Sequence, residues 1–160
     1  MSLGNVCGSM KTFPSIQGNE MDDEAARQFL TEQGFGVLSL AADGVAYGIP
    51  ISYGCDPETE RLYFVFLRPG EESRKERFSE ATERASFLAF DVPSREEWRT
   101  VIASGTLRVV DDDEWPAVRD ALEDNAWFPT LFAESEPMRD ILGWALDVDE
   151  VSGMHSRATR

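Results

Sequence analysis

Val45-Ala-Tyr-Gly-Ile-Pro-Ile-Ser-Tyr-Gly-Cys55 alternates without a break. Val45, Tyr47, Ile49, Ile51, Tyr53 and Cys55 are large or apolar, and Ala46, Gly48, Pro50, Ser52 and Gly54 are small. A period of two is the signature of a β-strand, whose successive side chains point to opposite faces. A solvated second face would carry Lys, Glu or Thr. A face of Gly, Pro and Ser instead lets something approach the backbone closely, whether a strand, another subunit or a flat ligand. Pro50 has no N–H to give to a ladder, which places this strand at an edge or at a bulge.

Working outward, Phe35-Gly-Val-Leu-Ser-Leu-Ala41 reads as a preceding strand, joined through the hairpin turn signal Asp43-Gly44. Downstream, Asp56-Pro-Glu-Thr-Glu60 turns into the very apolar strand Leu62-Tyr-Phe-Val-Phe-Leu67. Ser86–Asp91 and Arg99–Val110 are further strands, the second with a bend or bulge at Gly105, and Trp144–Val151 is the last. A helix begins near Asp22 or Asp23, presents Ala26, Phe29 and Leu30 on one face and ends at Gly34. Short helices are expected from Ser73, from Asp111–Glu114 onward with Trp115, Val118 and Leu122 inward, and around Pro137–Leu142 after the cap Ser135. Residues 1–20 lack periodicity and are expected to form a mobile arm, leaving 21–160 as a single domain. The sum is a mainly β (α+β) chain: six or seven antiparallel strands closing toward a barrel, with short flanking helices. There is no β-α-β rhythm and no G-x-G-x-x-G, which argues against a dinucleotide-binding doubly wound sheet.

With 160 residues, 42% of them hydrophobic, the chain can build a sizeable core. No apolar run approaches the roughly 20 residues that span a bilayer, and the N-terminus lacks signal-peptide character. The two cysteines, Cys7 and Cys55, match no metal spacing. A cytoplasmic protein is expected, with no membrane and no metal. A formal net charge of −15 from thirty acidic residues disfavours nucleic acid as a partner. Thirteen arginines against two lysines, beside that acid excess, fit a halophilic source, in which salt screens self-repulsion; an ordinary acidic protein from a high-GC genome is the plainer alternative.

The charge balance reverses once. Four of the fifteen basic residues fall within Arg68-Pro-Gly-Glu-Glu-Ser-Arg-Lys-Glu-Arg77, at the junction between a strand and a helix. A helix N-terminus already carries about half a positive charge and unpaired N–H groups. Arg74 and Lys75 in its first turn therefore oppose their own helix unless an anion offsets them. A phosphate would collect the free N–H groups, the Ser73 hydroxyl and both side chains together. The bland alternative is that Glu71, Glu72 and Glu76 neutralise the cluster as surface ion pairs.

Other polar candidates are thinner. His155 is the only histidine, and Ser39, Ser52 and Ser104 find no histidine in a triad order. Asp111-Asp112-Asp113 reads as a helix start on an acidic surface. Trp98, Trp115, Trp127 and Trp144 are core or interface residues, any of which could stack on a planar ring.

Phe35-Gly-Val-Leu-Ser-Leu, Tyr47-Gly-Ile-Pro-Ile-Ser-Tyr53, Leu62-Tyr-Phe-Val-Phe, Ser73-Arg-Lys and Trp98-Arg-Thr-Val-Ile-Ala-Ser-Gly105 occur in that order. Together they resemble the pyridoxamine 5′-phosphate oxidase-like family of FMN-binding split β-barrels, over roughly residues 22–152. The resemblance implies a homodimer with flavin along the subunit interface and a small-molecule redox substrate. It implies that Ser73, Arg74 and Lys75 hold the FMN phosphate, that Pro50, Ile51, Ser52 and Tyr53 line the flavin together with Val65, Phe66 and Leu67, and that Thr100 contacts the ring. The chain departs from the oxidase itself, with Tyr47 and Gly48 where that enzyme has an Arg-rich strand. It also has no counterpart after Trp144 to the segment that grips pyridoxal phosphate. An FMN-dependent oxidoreductase other than the vitamin B6 enzyme is therefore expected. The alternatives are a flavin-binding or sensing protein without turnover, a deazaflavin (F420)-dependent reductase, and a structural dimer without cofactor.

Overall fold

A computed structural model describes residues 18–67, 73–125 and 141–156. Strands β1 (Asn19–Glu20), β2 (Phe35–Ala42), β3 (Val45–Ser52), β4 (Gly54–Asp56), β5 (Arg61–Leu67), β6 (Arg84–Asp91), β7 (Arg99–Val109) and β8 (Ile141–His155) form one antiparallel sheet. Helices α1 (Asp23–Glu32), α2 (Arg74–Ala81) and α3 (Trp115–Glu123) flank it, with a 3-10 turn at Asp112–Glu114 before α3. The helix expected around Pro137–Leu142 is corrected in part: Ile141 and Leu142 open β8, and 137–140 lie outside the described residues.

Local chemistry accounts for the turns and caps. Asp22 caps α1 by accepting the Ala25 N–H at 2.7 Å, and Ala26, Phe29 and Leu30 are the residues that α1 buries. Asp43 (φ 51°) and Gly44 (φ 75°) both take positive φ, as a two-residue hairpin needs to match the twist of its strands. Asp56 accepts the Glu58 N–H and the Thr59 hydroxyl, bending the chain into β5. The register of β7 on β8 slips between Ser104 and Gly105, where a Cβ would sit 1.9 Å from the carbonyl oxygen of Asp147. Gly105→Ala is expected to cost about 3 kcal/mol, readable as a lowered Tm.

The strand order is β3-β2-β6-β7-β8-β5-β4, with β1 added beside β8. The two ends of that order, β3 and β4, are consecutive in sequence. One ribbon therefore pairs with β2 through its first half and with β5 through its second, which curls the seven strands into a half-barrel. Pro50 lies in this edge ribbon, as its missing donor requires. The ribbon changes partner at Tyr53, whose N–H bonds to Gly34 O at 3.1 Å. The Asn125 side chain donates to the carbonyls of both Gly34 and Tyr53.

The barrel interior holds Leu38, Phe64, Phe66, Phe87, Val101 and Leu146, all essentially inaccessible. Phe87 lies between Tyr53 (ring centroids 4.6 Å apart) and Phe64 (5.2 Å). A smaller cluster lies on the outer face, where Val118, Ala121 and Leu122 of α3 cover Tyr63 and Ala145. Gly54 permits this crossing, since a Cβ there would lie 2.7 Å from the Ala121 backbone. Over the rest of the outer face, on β3, β2, β6 and half of β7 and β8, no helix lies among the described residues.

A half-buried ion-pair network ties three strands to the start of α3. Arg108 bonds Glu114 at 2.6 Å and Asp147 at 2.7 Å, and Arg61 reaches both carboxylates at 3.2 and 2.8 Å. The Arg108 guanidinium holds the Glu114 carboxyl down at about 2, against an ordinary 4.5. A depressed carboxyl contributes stability that is whole above its unfolded value and disappears as pH falls through the folded one. Acid unfolding should therefore lose about 2 kcal/mol between pH 4.5 and 2 through this group. Glu114→Gln should flatten that limb of the stability–pH curve, measured by urea denaturation.

Candidate functional site

Ser73 caps α2, and the S-x-x-E box forms: its Oγ accepts the Glu76 N–H at 3.4 Å, while the Glu76 carboxylate accepts the Ser73 N–H at 3.0 Å. Glu76 is almost fully buried in doing so. This revises the cradle expected from sequence. Two of the N–H groups at the helix start are already satisfied, and a carboxylate stands at its positive end. An anion here has the N–H groups of Arg74 and Lys75 left, with the Ser73 hydroxyl proton, and it depends mainly on the two side chains.

Those side chains lie on ring faces. The Arg74 guanidinium carbon is 4.7 Å from the Tyr47 ring centre and 5.4 Å from that of Phe78, and Lys75 Nζ is 5.0 Å from the Phe66 ring. Among the described residues no carboxylate pairs with Arg74, Lys75 or Arg77, whereas Arg27, Arg61, Arg84, Arg99 and Arg108 each hold at least one. Glu71 and Glu72, the other candidate partners, lie outside the described residues. Contact with a ring face is a weak interaction, about 0.5–1 kcal/mol at an exposed site, and leaves the charge itself available.

Tyr47 is on β3 and Phe66 on β5, so the first turn of α2 bridges two strands that do not pair with each other. Gly54, Cys55 and Asp56 pair with Tyr63, Leu62 and Arg61. Beyond Gly54 and Tyr63 the ladder stops, and β3 follows β2 while β5 follows β8. A seam opens between them, flanked by Pro50, Ile51 and Ser52 on one side and Val65, Phe66 and Leu67 on the other. Pro50 is exposed and Ser52 half-buried on the outer face, and Leu67 is 45% exposed. Ile51 points inward. Phe66 is buried and carries Lys75, and Val65 packs into the α3 cluster. The Tyr53 ring is in the core, its hydroxyl donating to Leu30 O at 2.7 Å. Thr100 stands apart from all of these, on β7 between Phe90 and Met154.

Tyr47 and Phe78 were not among the expected site residues. Phe78 could have been found from its i+4 spacing to Arg74, which places the two on one helix face; Tyr47 comes to them only through tertiary packing. Cys55, beside the seam, is half-buried, and burial followed by the nearby Asp56 pushes its thiol up to about 12, so it is no nucleophile.

A cavity of about 820 Å³ lies elsewhere, between α1, the β6–β7 connection and the end of β8. Its lining includes Glu20, Glu32, Asp91, Glu96 and Glu97 against the single arginine Arg99, together with His155. Such a lining repels a phosphate, and none of the expected site residues belongs to it. No helix among the described residues is long and apolar enough to cross a membrane.

Solved structures share the fold. A FAD-binding protein from Mesorhizobium loti superposes with a TM-score of 0.68 at 17% identity, covering 89% of this chain and 100% of that one. The FAD-binding protein of Mycobacterium smegmatis gives 0.62 at 15% identity, over 88% and 100%. A FAD and heme binding protein of the same organism gives 0.65 at 23%, over 85% and 72%. No curated protein matches the chain. The sequence profile described as pyridoxamine 5′-phosphate oxidase matches residues 22–155, and the chain belongs to that family.

Proposed function

We propose that this chain is an FMN-binding flavoprotein, working as a homodimer in the oxidation or reduction of a small molecule. The observation that carries the reading is the group Arg74 and Lys75, held on aromatic faces at the head of an open seam and without a carboxylate partner among the described residues. In a chain with a net charge of −15, two such cations side by side fit a phosphate monoester. The seam supplies what a flat ring needs. The small outer face at Pro50 and Ser52 permits close approach, and β3 and β5 do not pair with each other along it. Bound FMN supplies the hydride or electron transfer itself. The chain's task is to bind, orient and shield. No acid–base pair is needed for that, in keeping with a seam lined by apolar and small residues. The structural relatives described as FAD-binding proteins support a flavin site more broadly.

The dimer is proposed from the outer face that no helix among the described residues covers. Pro50, Val37, Leu88, Ile102 and Ser152 form one cross-strand row, and Phe90, Thr100 and Met154 another. Gly48, Ser39, Ser86 and Ser104 form a third, and the first charged residues met along the three rows are Glu150 after Ser104 and Glu20 after Met154. Phe35, Phe90, Ile102 and Met154 are each more than a third exposed. An uncharged, part-apolar sheet face on so acidic a protein fits a second copy laid against it. It also gives Thr100, remote from the seam of its own chain, a route to the flavin of the partner.

The test is the visible absorbance spectrum of the protein as isolated, with mass identification of any released chromophore. A yellow protein releasing FMN is expected. A colourless protein that takes up no added FMN, with unchanged Tm, would sink the proposal, since saturating ligand at 100 times its Kd adds about 2.7 kcal/mol. Release of a deazaflavin would redirect it to F420, and tight FMN without turnover above free flavin would make the protein a carrier or sensor.

A further inference from the structure

We infer that Tyr47 is a positioning residue for the anion site: its ring, with Phe78 beside it, holds the Arg74 guanidinium where that group meets a phosphate. The inference rests on the reading of Arg74 as a phosphate ligand. Arginine is a long side chain, and fixing it in one geometry costs rotamer entropy. An exposed arginine in the first turn of a helix would ordinarily spread over many conformers, and the helix's own positive end pushes it away. Here two rings confine it. Tyr47 and Phe78 meet with centroids 4.9 Å apart and planes tilted by 48°, and the guanidinium carbon lies 4.7 and 5.4 Å from the two. The Tyr47 ring is itself well placed, because strand alternation turns it inward with Ile49 and Ile51, opposite Leu40.

A guanidinium resting on a ring face keeps its edge donors free, so stacking and bidentate phosphate bonding are compatible. Lys75 on Phe66 differs, since an ammonium is a compact point charge without a plane to orient. Tyr47 and Phe78 therefore set a direction for their cation, and Phe66 sets none. The same strand position explains why a large aromatic interrupts no function on this side: the small face of the ribbon is the opposite one.

The experiment compares FMN with riboflavin, which lacks the phosphate, by titration of the full-length protein and of Tyr47→Leu, Tyr47→Phe, Arg74→Ala and the Tyr47→Leu/Arg74→Ala double variant. Tyr47→Leu should weaken FMN about fivefold while leaving riboflavin unchanged. Tyr47→Phe should restore the native ratio, and Tyr47→Leu should add nothing once Arg74 is gone. Phe78→Leu serves as a second variant with the same direction of effect if Tyr47→Leu fails to fold. Equal losses for FMN and riboflavin overturn the inference, because Tyr47 then acts only in packing. So does an unchanged ratio in Tyr47→Leu when Arg74→Ala lowers it. An Arg74→Ala variant with the native ratio, or a protein binding neither flavin, overturns the reading of Arg74 and the inference with it.

Discussion

Replacing Arg74 and Lys75 together with alanine is expected to weaken FMN by about a hundredfold or more, with riboflavin binding little changed. Each side chain would give a charge-assisted hydrogen bond, and such bonds contribute about 1.5–3 kcal/mol apiece. The helix start offers little reserve, because the Ser73–Glu76 box has already taken two of its N–H groups and placed a carboxylate there. The fold should tolerate the change well. Arg74 is exposed, Lys75 half-buried, and neither holds an ion pair among the described residues. The measurement is fluorescence quenching on titration with each flavin, beside a thermal melt. Loss of both flavins to the same degree would mean that the pair does not read the phosphate.

Ile102→Glu should convert the proposed dimer to a monomer. Ile102 is 46% exposed in the centre of the uncharged rows, with Leu88 and Ser152 as its cross-strand neighbours. A two-fold interface carries every substitution twice, so two carboxylates enter one apolar contact. Burying an ion without a partner costs several kcal/mol, and the dimer dissociation constant should rise about a thousandfold or more. Sedimentation velocity across a dilution series reads this directly, and Thr106→Glu, an exposed site further along β7, is the control. If the flavin uses groups from both copies, FMN affinity should fall in parallel with dissociation. A native protein that sediments as a monomer, or an Ile102→Glu protein that remains dimeric, would contradict the assigned face.

The two substitutions probe opposite kinds of evidence. Arg74 and Lys75 stand out in the sequence because local composition reverses there, and the structure leaves them unpaired among the described residues. Ile102 does not stand out at all. It is one residue of an alternating strand, and its face becomes recognisable only when five strands put their uncharged residues in register.

Much of the architecture was legible from short-range chemistry. The Asp43-Gly44 hairpin, the Asp22 and Ser73 caps and the inward face of α1 each depend on residues within about four positions, where φ, side-chain reach and N–H geometry are locally decided. The extent of β8 was not. The strand expected over Trp144–Val151 runs on to His155, because β1 pairs with it on one side and β7 on the other. Gly153 itself makes room for Met21, whose N–H bonds its carbonyl at 2.9 Å.

The candidate site divides along the same line. Sequence alone determined that a strand with one small face, an edge proline and a cationic helix start exist in this chain, because alternation, a missing N–H and a local excess of charge are properties of adjacent residues. Tertiary packing alone sets that β3 and β5 part beyond Tyr53, that Arg74 lies on Tyr47 and Lys75 on Phe66, and that Thr100 lies several strands away from them. Those relations join residues far apart in the chain. They are set by strand register and by how the barrel closes, and no local pattern contains that information.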